Sequence, residues 1–150
     1  MDKNILAALV VPYVQKNKDV RFLLLKHERG IWTFPGGVIE DTDENIKQGL
    51  VREVAEEIGL EVKEAELRGT GIKNEFTYGP EKEDREGKKG MTHFFLLELN
   101  GTEKFSSFDK ITEFGWFKRD EVVDLLPFEG EREVFNQIWD KYFSLDKSSS

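Results

Sequence analysis

The 150-residue chain has no cysteine, two histidines and two methionines. The missing thiols exclude a disulfide, a thiolate metal site and a cysteine nucleophile, and they suit a reducing compartment, so a cytoplasmic protein is expected. Long hydrophobic runs are missing too. A membrane span needs about 20 apolar residues, and the opening "MDKNILAALVVPYVQKNKD" carries a short apolar run bounded by Lys16 and Lys18. That stretch reads as a strand and not as a signal peptide, and no membrane association is expected. Basic residues are the minority, 22 Lys and Arg against 30 Asp and Glu, for a net charge of −8. Sequence-independent binding of nucleic acid depends on neutralising phosphates with Lys and Arg, so stable nucleic-acid binding is not expected. An acidic chain can still handle a phosphorylated small molecule if divalent cations stand between the two sets of negative charge.

What is present suits one soluble domain over 1–150. Hydrophobic residues make up 38%, among them 12 Phe, enough for one core, and 35% charged residues imply a well-solvated surface. There is no repeat or linker, and the polar end at about 146–150 is expected to be disordered. "ILAALVVPYV" and "DVRFLLLKH" read as a hairpin of adjacent strands, the second apolar enough for burial on both faces. "ERGIWTFPGG" is a turn-rich connection. One or two strands are expected in "EVKEAELRGTGIKNEFTYG", a solvated loop in "PEKEDREGKKG", and strands in "MTHFFLLEL" and "EFGWFKR". Two helices should close the chain, "RDEVVDLL" with Asp120 as N-cap and "EREVFNQIWDKYF" with a broad apolar face. Mixed strands with helices between and after them predict an α/β fold, a central sheet covered on both sides.

"GGVIEDTDENIKQGLVREVAEEIGL" raises the question of function. Ile46, Leu50, Val54 and Ile58 recur at a helical period, which predicts one helix from about Glu44 to Ile58, capped by Thr42 or Asp43 and ended by Gly59. On a wheel of about 100° per residue, Glu53 and Glu57 fall about 20° either side of Ile46 and Glu56 farther out. The acids therefore line one edge of the buried face, where like charges repel. Hard cations such as Mg²⁺ prefer carboxylate and carbonyl oxygens, and a bound cation would offset that repulsion. A charged rim on an ordinary amphipathic helix is the plain alternative.

The surrounding residues resemble the signature of the Nudix hydrolase family. Arg52, Glu53, Val54, Glu56, Glu57, Gly59 and Leu60 match its second half, Glu44 stands at the pattern's distance before Arg52, and "WTFPGG" resembles the usual entry. One departure stands out. Six residues, "VIEDTD", separate Gly37 from Glu44 where the pattern has five, so that Asp43 has the right distance from Gly37 and Glu44 the right distance from Arg52. The spacing inside the helix is taken as the firmer register, with the extra residue in the loop.

The resemblance implies the Nudix fold, an α/β/α sandwich with a central mixed sheet, and hydrolysis of a phosphoanhydride bond in a nucleoside diphosphate-linked substrate by metal-activated water. It implies Mg²⁺, or Mn²⁺ in its place, held by Glu56, Glu57 and the Gly37 carbonyl, with Glu53 a further ligand or the base. Glu44 and Arg52 become supporting residues of the catalytic set. A ligand from outside the box is expected from Glu98, or from Glu81, Glu83 or Glu86. Lys26 and Arg29 are candidate phosphate contacts, Phe76 and Tyr78 candidate stacking partners for a base, and His93 a candidate base or substrate contact. For each, a solvated charge or ordinary packing is the alternative. The segment from Glu113 to Tyr142 loosely resembles the end of diadenosine tetraphosphate (Ap4A) hydrolases, which favours a dinucleoside polyphosphate. A sanitising pyrophosphohydrolase for oxidised or non-standard nucleoside triphosphates is the alternative, and a binding-only nucleotide module a more distant one. The partner expected is a small nucleotide, the protein a monomer or homodimer.

Overall fold

The computed structural model describes residues 5–77, 87–106 and 110–144. Strands β1 (Ile5–Lys16) and β2 (Asp19–His27) form the expected hairpin. Asn17 turns the chain at φ 58°, a left-handed conformation that asparagine tolerates. Two short strands follow, β3 (Trp32–Thr33) and β4 (Gly36–Val38), then helix α1 (Ile46–Ile58). A short 3-10 turn at Glu64–Glu66 leads into a single strand, β5 (Arg68–Thr77). Next come β6 (Lys89–Glu98), β7 (Ile111–Phe117), α2 (Arg119–Leu125) and α3 (Glu129–Ile138), whose last turns, Trp139–Phe143, widen into a π-helix.

The sheet runs β3-β2-β1-β6-β5, with β4 on β1 and β7 on β2. It is mixed because β1 and β6 are parallel and the other pairs antiparallel. Strands β1 and β2 pair only near their turn, from Tyr13↔Phe22 to Lys16↔Asp19, and then part. The gap is filled by β4 on Ala7 to Leu9 and by β3 on Leu25 and Lys26, with the Val10 N–H donating to the Pro35 carbonyl at 2.9 Å. "WTFPGG" is thus a wedge driven into a fork in the sheet.

Alternation along the strands divides the core. Leu23 and Leu25 face α1, packing with Leu50, Val54 and Ile58. Phe22 and Leu24 face α2 and α3, packing with Val122, Val134, Phe135 and Ile138. Burial of "RFLLL" on both faces is therefore as expected. Each aliphatic side chain so buried stabilises the fold by about 1.5–3 kcal/mol. Among the described residues no helix is long and apolar enough to cross a membrane.

Several element boundaries differ from those expected. Helix α1 begins at Ile46 and not at Glu44, and its N-cap is neither Thr42 nor Asp43 but Asn45, whose side chain accepts from the Gln48 N–H at 2.9 Å. Lys118, not Asp120, caps α2, where its N–H donates to the Glu121 carboxylate at 2.9 Å. The last helix starts at Glu129, ahead of Glu131. Tyr78, Glu81, Glu83, Glu86 and the tail lie outside the described residues.

Candidate functional site

The site forms where α1 meets β4. Glu57 reaches back to the glycine pair, its Oε1 accepting from the Gly36 N–H at 2.9 Å. Glu53, one turn earlier, lies against Gly37, where an added Cβ would stand 2.6 Å from Glu53 Oε2. The two glycines serve different needs. Gly36 has φ 144°, and a side chain there would drive into the Ala8 carbonyl of β1. At Gly37 the nearest atoms it would meet belong to the flexible end of Glu53. Gly36→Ala is therefore expected to destabilise the fold by more than about 1 kcal/mol, whereas Gly37→Ala should keep the melting temperature and lose turnover. Thermal melts beside rate measurements separate the two, and equal loss of stability in both variants would contradict the assignment.

Crowding and burial alter both acids. Burial pushes the Glu57 carboxyl up to about 7, against the lowering effect of the Gly36 N–H and with Glu53 adding to the rise. Burial also raises Glu53, which Arg52 partly offsets and Glu56 reinforces. Glu56 is different. Its side chain is 62% exposed and meets Arg52 Nη1 at 3.1 Å. The helical-wheel expectation that all three acids edge the buried face holds for Glu53 and Glu57, whereas Glu56 stands out in solvent beside Arg52.

Arg52 organises the acids, and its main partner is Asp43 and not the expected Glu44. Arg52 Nε and Nη2 donate to the two oxygens of Asp43 at 2.9 and 2.8 Å, a bidentate pair. The Asp43 side chain is only 3% exposed. Its Oδ2 also accepts from the Glu40 N–H at 2.8 Å, and the Arg52 hydrogen bond above all lowers its pKa to about 2. Glu44 is exposed just ahead of the helix, its N–H donating to Gln48 Oε1 at 3.0 Å. The carboxylate that hydrogen-bonds Arg52 is thus Asp43, one residue before the position expected. Helical rotation was the reason for trusting Glu44, but both residues precede the helix, so that argument does not govern them. A signal was present in Gly49. Glycine inside a helix costs about 1 kcal/mol against alanine, and here a Cβ would strike Ile39 Cδ1 at 2.7 Å and Asp43 Oδ2 at 2.8 Å. The bare position lets the Asp43 loop close onto α1.

The remaining candidates scatter. His93 pairs in register with Ala8, which pairs with Gly37, so the three form a row across β6, β1 and β4. With strands about 4.8 Å apart, His93 lies roughly 10 Å from Gly37 on the α1 face, and burial, then Lys73, lowers its pKa. Glu98 does not join the site. It ends β6 opposite Tyr13, five residues beyond the His93 row, and alternation puts it on the other face from α1. At about 3.3 Å per residue that is some 16 Å along the strand. Lys26 Nζ is 3.9 Å from Glu113 and 5.8 Å from the Trp32 ring centroid, and Arg29 is exposed in the turn after β2. The Phe76 ring lies against Gly90 on the α3 face, far from the metal candidates in register.

These residues suit a divalent cation in kind. The donors are all oxygens, two carboxyls hold protons more firmly than usual beside a glycine backbone, and a side chain at Gly37 would fill the space Glu53 occupies. Among the described residues no three acidic or histidine side chains already converge on one point. Glu56 is turned to Arg52 and would join only by leaving it.

Fold and site together define an α/β/α sandwich that presents a carboxylate-rich helix to a glycine pair at the fork of a mixed sheet. The chain belongs to the NUDIX domain family, whose model matches residues 3–137. A curated relative, 8-oxo-dGTP diphosphatase of Proteus vulgaris, is 47% identical over 47 residues, 31% of this chain and 41% of that protein, so the match spans less than half of the relative's length. Among solved structures, an Ap4A hydrolase binary complex from C. elegans superposes with a TM-score of 0.73 at 18% identity, covering 91% of this chain and 96% of that one. The E. coli dihydroneopterin triphosphate pyrophosphohydrolase does so with a TM-score of 0.73 at 23% identity, covering 88% and 92%. At these identities the likeness is one of fold.

Proposed function

We propose that this protein hydrolyses a phosphoanhydride bond of a nucleoside diphosphate-linked substrate, releasing two phosphorylated products. The observation that carries the proposal is the pairing of Glu53 and Glu57 with Gly36 and Gly37, held by the Arg52–Asp43 brace. Nudix hydrolases generally use divalent metal ions, and Glu53, Glu57 and the Gly37 carbonyl would hold one here, with Glu56 as a further donor. When bound, the cation lowers the pKa of the attacking water and screens the polyphosphate charge.

The protein's own residues do the rest. Glu57 fixes the glycine turn through the Gly36 N–H. The Glu53 carboxylate, raised in proton affinity by burial, is suited to take the proton of the attacking water. Arg52 holds Glu53 Oε1 at 3.3 Å while Asp43 fixes the guanidinium from behind. Mg²⁺ is the cation of the proposal, with Mn²⁺ as a substitute.

Two substrate classes have support. The local identity to a protein named 8-oxo-dGTP diphosphatase supports a nucleoside triphosphate. The C-terminal resemblance to Ap4A hydrolases supports a dinucleoside polyphosphate. Incubation with Mg²⁺ and a panel of nucleoside triphosphates, dinucleoside polyphosphates, nucleotide sugars and ADP-ribose, followed by product identification, decides between them. A nucleoside monophosphate and pyrophosphate from a triphosphate would establish the first class. No turnover of any member would overturn the hydrolase reading in favour of a binding module.

A further inference from the structure

On the α1 face of the sheet, a bulge in β5 sets two basic side chains against each other. Gly69 pairs with Phe95 of β6, so an unbroken antiparallel ladder would put Gly71 opposite His93. The register shifts between Gly69 and Lys73 instead, and Lys73 stands opposite His93. Gly71 makes the bend at φ 75°, and the residue before it pins the bulge in place. The buried Thr70 hydroxyl donates to the Phe94 carbonyl at 2.8 Å and accepts from the Ile72 N–H at 3.1 Å, while the Thr70 carbonyl accepts from Lys141 Nζ at 3.1 Å. A bulge disrupts the ladder locally and re-aims a side chain. Here the side chain re-aimed is that of Lys73.

That pairing calls for a counterion. Side chains directly opposite in an antiparallel pair have Cβ atoms about 5 Å apart, and like charges so placed are destabilising. Lys73 is exposed and His93 half-buried, and burial and then the Lys73 charge lower the His93 pKa. Acids outnumber bases in this chain by 30 to 22. Yet among the described residues neither Lys73 nor His93 forms an ion pair or a side-chain hydrogen bond, although Glu75 lies two residues along β5 on the same face. The pair is also set apart from the metal candidates. Ala8, between His93 and Gly37 in their row, is fully buried with Leu50, Val54 and Ile58, so apolar side chains of α1 close the way from the glycine turn to His93. Beyond α1 the face opens, with Met91 half-buried and Glu75 and Thr77 exposed.

We propose that Lys73 and His93 form an anion site for a phosphate group, separate from the cation site at the glycine turn. Lys73 supplies the charge and the His93 ring an N–H donor. A phosphate between them replaces one repulsion with two charge-assisted contacts. The site needs neither the metal nor turnover, so it stands or falls independently of the hydrolase reading.

Proton NMR of the imidazole rings, with inorganic phosphate titrated in metal-free buffer at constant ionic strength, tests it. The chain has two histidines, so His27 serves as the internal control. Phosphate should shift the His93 signals saturably and raise the His93 pKa, because a nearby negative charge favours the imidazolium, and His27 should not move. Lys73→Gln should weaken binding about fivefold or more, as loss of a hydrogen bond to a charged group allows, and melt at the same or a higher temperature. Lys73→Arg should keep most of the binding. Lys18→Gln, which removes the same charge from the turn after β1, should leave it unchanged. No shift, equal shifts of both histidines, or binding that survives in Lys73→Gln would overturn the inference. A second arm repeats the phosphate titration with an excess of a nucleoside monophosphate that binds the protein. A His93 shift that persists supports a separate site, and one that the nucleotide abolishes would overturn the separation by making the pair a contact for the nucleotide's own phosphate.

Discussion

Glu57→Gln is expected to lower kcat by on the order of 10³-fold, the several kcal/mol of charge stabilisation that a site-bound cation supplies. The fold should survive, for two reasons. Glutamine keeps an oxygen to accept from the Gly36 N–H, the contact that ties α1 to the glycine turn. The wild-type carboxyl is also already pushed up to about 7, so a neutral side chain suits its buried setting. Folded-state pKa above the unfolded value means that stability falls as pH rises from about 4.5 to about 7. Glu57→Gln should remove that part of the slope and melt at the same or a higher temperature above pH 7. Steady-state kinetics and thermal melts across this range check both parts, and a variant with near-normal kcat would remove Glu57 from the catalytic set.

Asp43→Asn should reduce activity about 10- to 100-fold, the usual consequence of losing a residue that orients a functional side chain, while Glu44→Gln should leave it within about twofold. This order is opposite to the one the spacing before Arg52 implies. Asp43 meets Arg52 through two hydrogen bonds, and Arg52 in turn contacts Glu53 and Glu56. Asparagine offers one acceptor in place of two and no charge. The linkage has the opposite sign to that of Glu57. Asp43 is lowered from 3.8 to about 2, so its stabilisation is present above pH 3.8 and disappears as pH falls through about 2. Asp43→Asn should therefore flatten the acid limb of the stability profile, whereas Glu44→Gln should not. A larger rate loss in Glu44→Gln would restore the original register.

Most of the fold was readable because periodicity and burial coincide. Leu50, Val54 and Ile58 repeat at helical spacing and all three are buried, and the apolar run of β2 faces a helical layer on each side of the sheet. Termini were read less well because caps depend on loop geometry. Asn45 captures the Gln48 N–H, while Asp43, an equally good cap by composition, is already committed to Arg52 and Glu40. Glu53 and Glu57 could be placed from the wheel alone, and Glu56 could not, because Arg52 holds it out in solvent. Glu98 could not, since nothing in "FFLLELN" reveals that β6 runs parallel to β1 and carries its end away from Gly37.

The central claim is that the acids crowded along α1 form a cation site with the glycine turn. Titration of Mn²⁺ into the wild type, Glu57→Gln and Glu44→Gln, followed by electron paramagnetic resonance of the free ion, tests it most directly. The wild type and Glu44→Gln are expected to bind the ion alike, and Glu57→Gln at least about tenfold more weakly. Equal binding by all three, or none by the wild type, would contradict the claim.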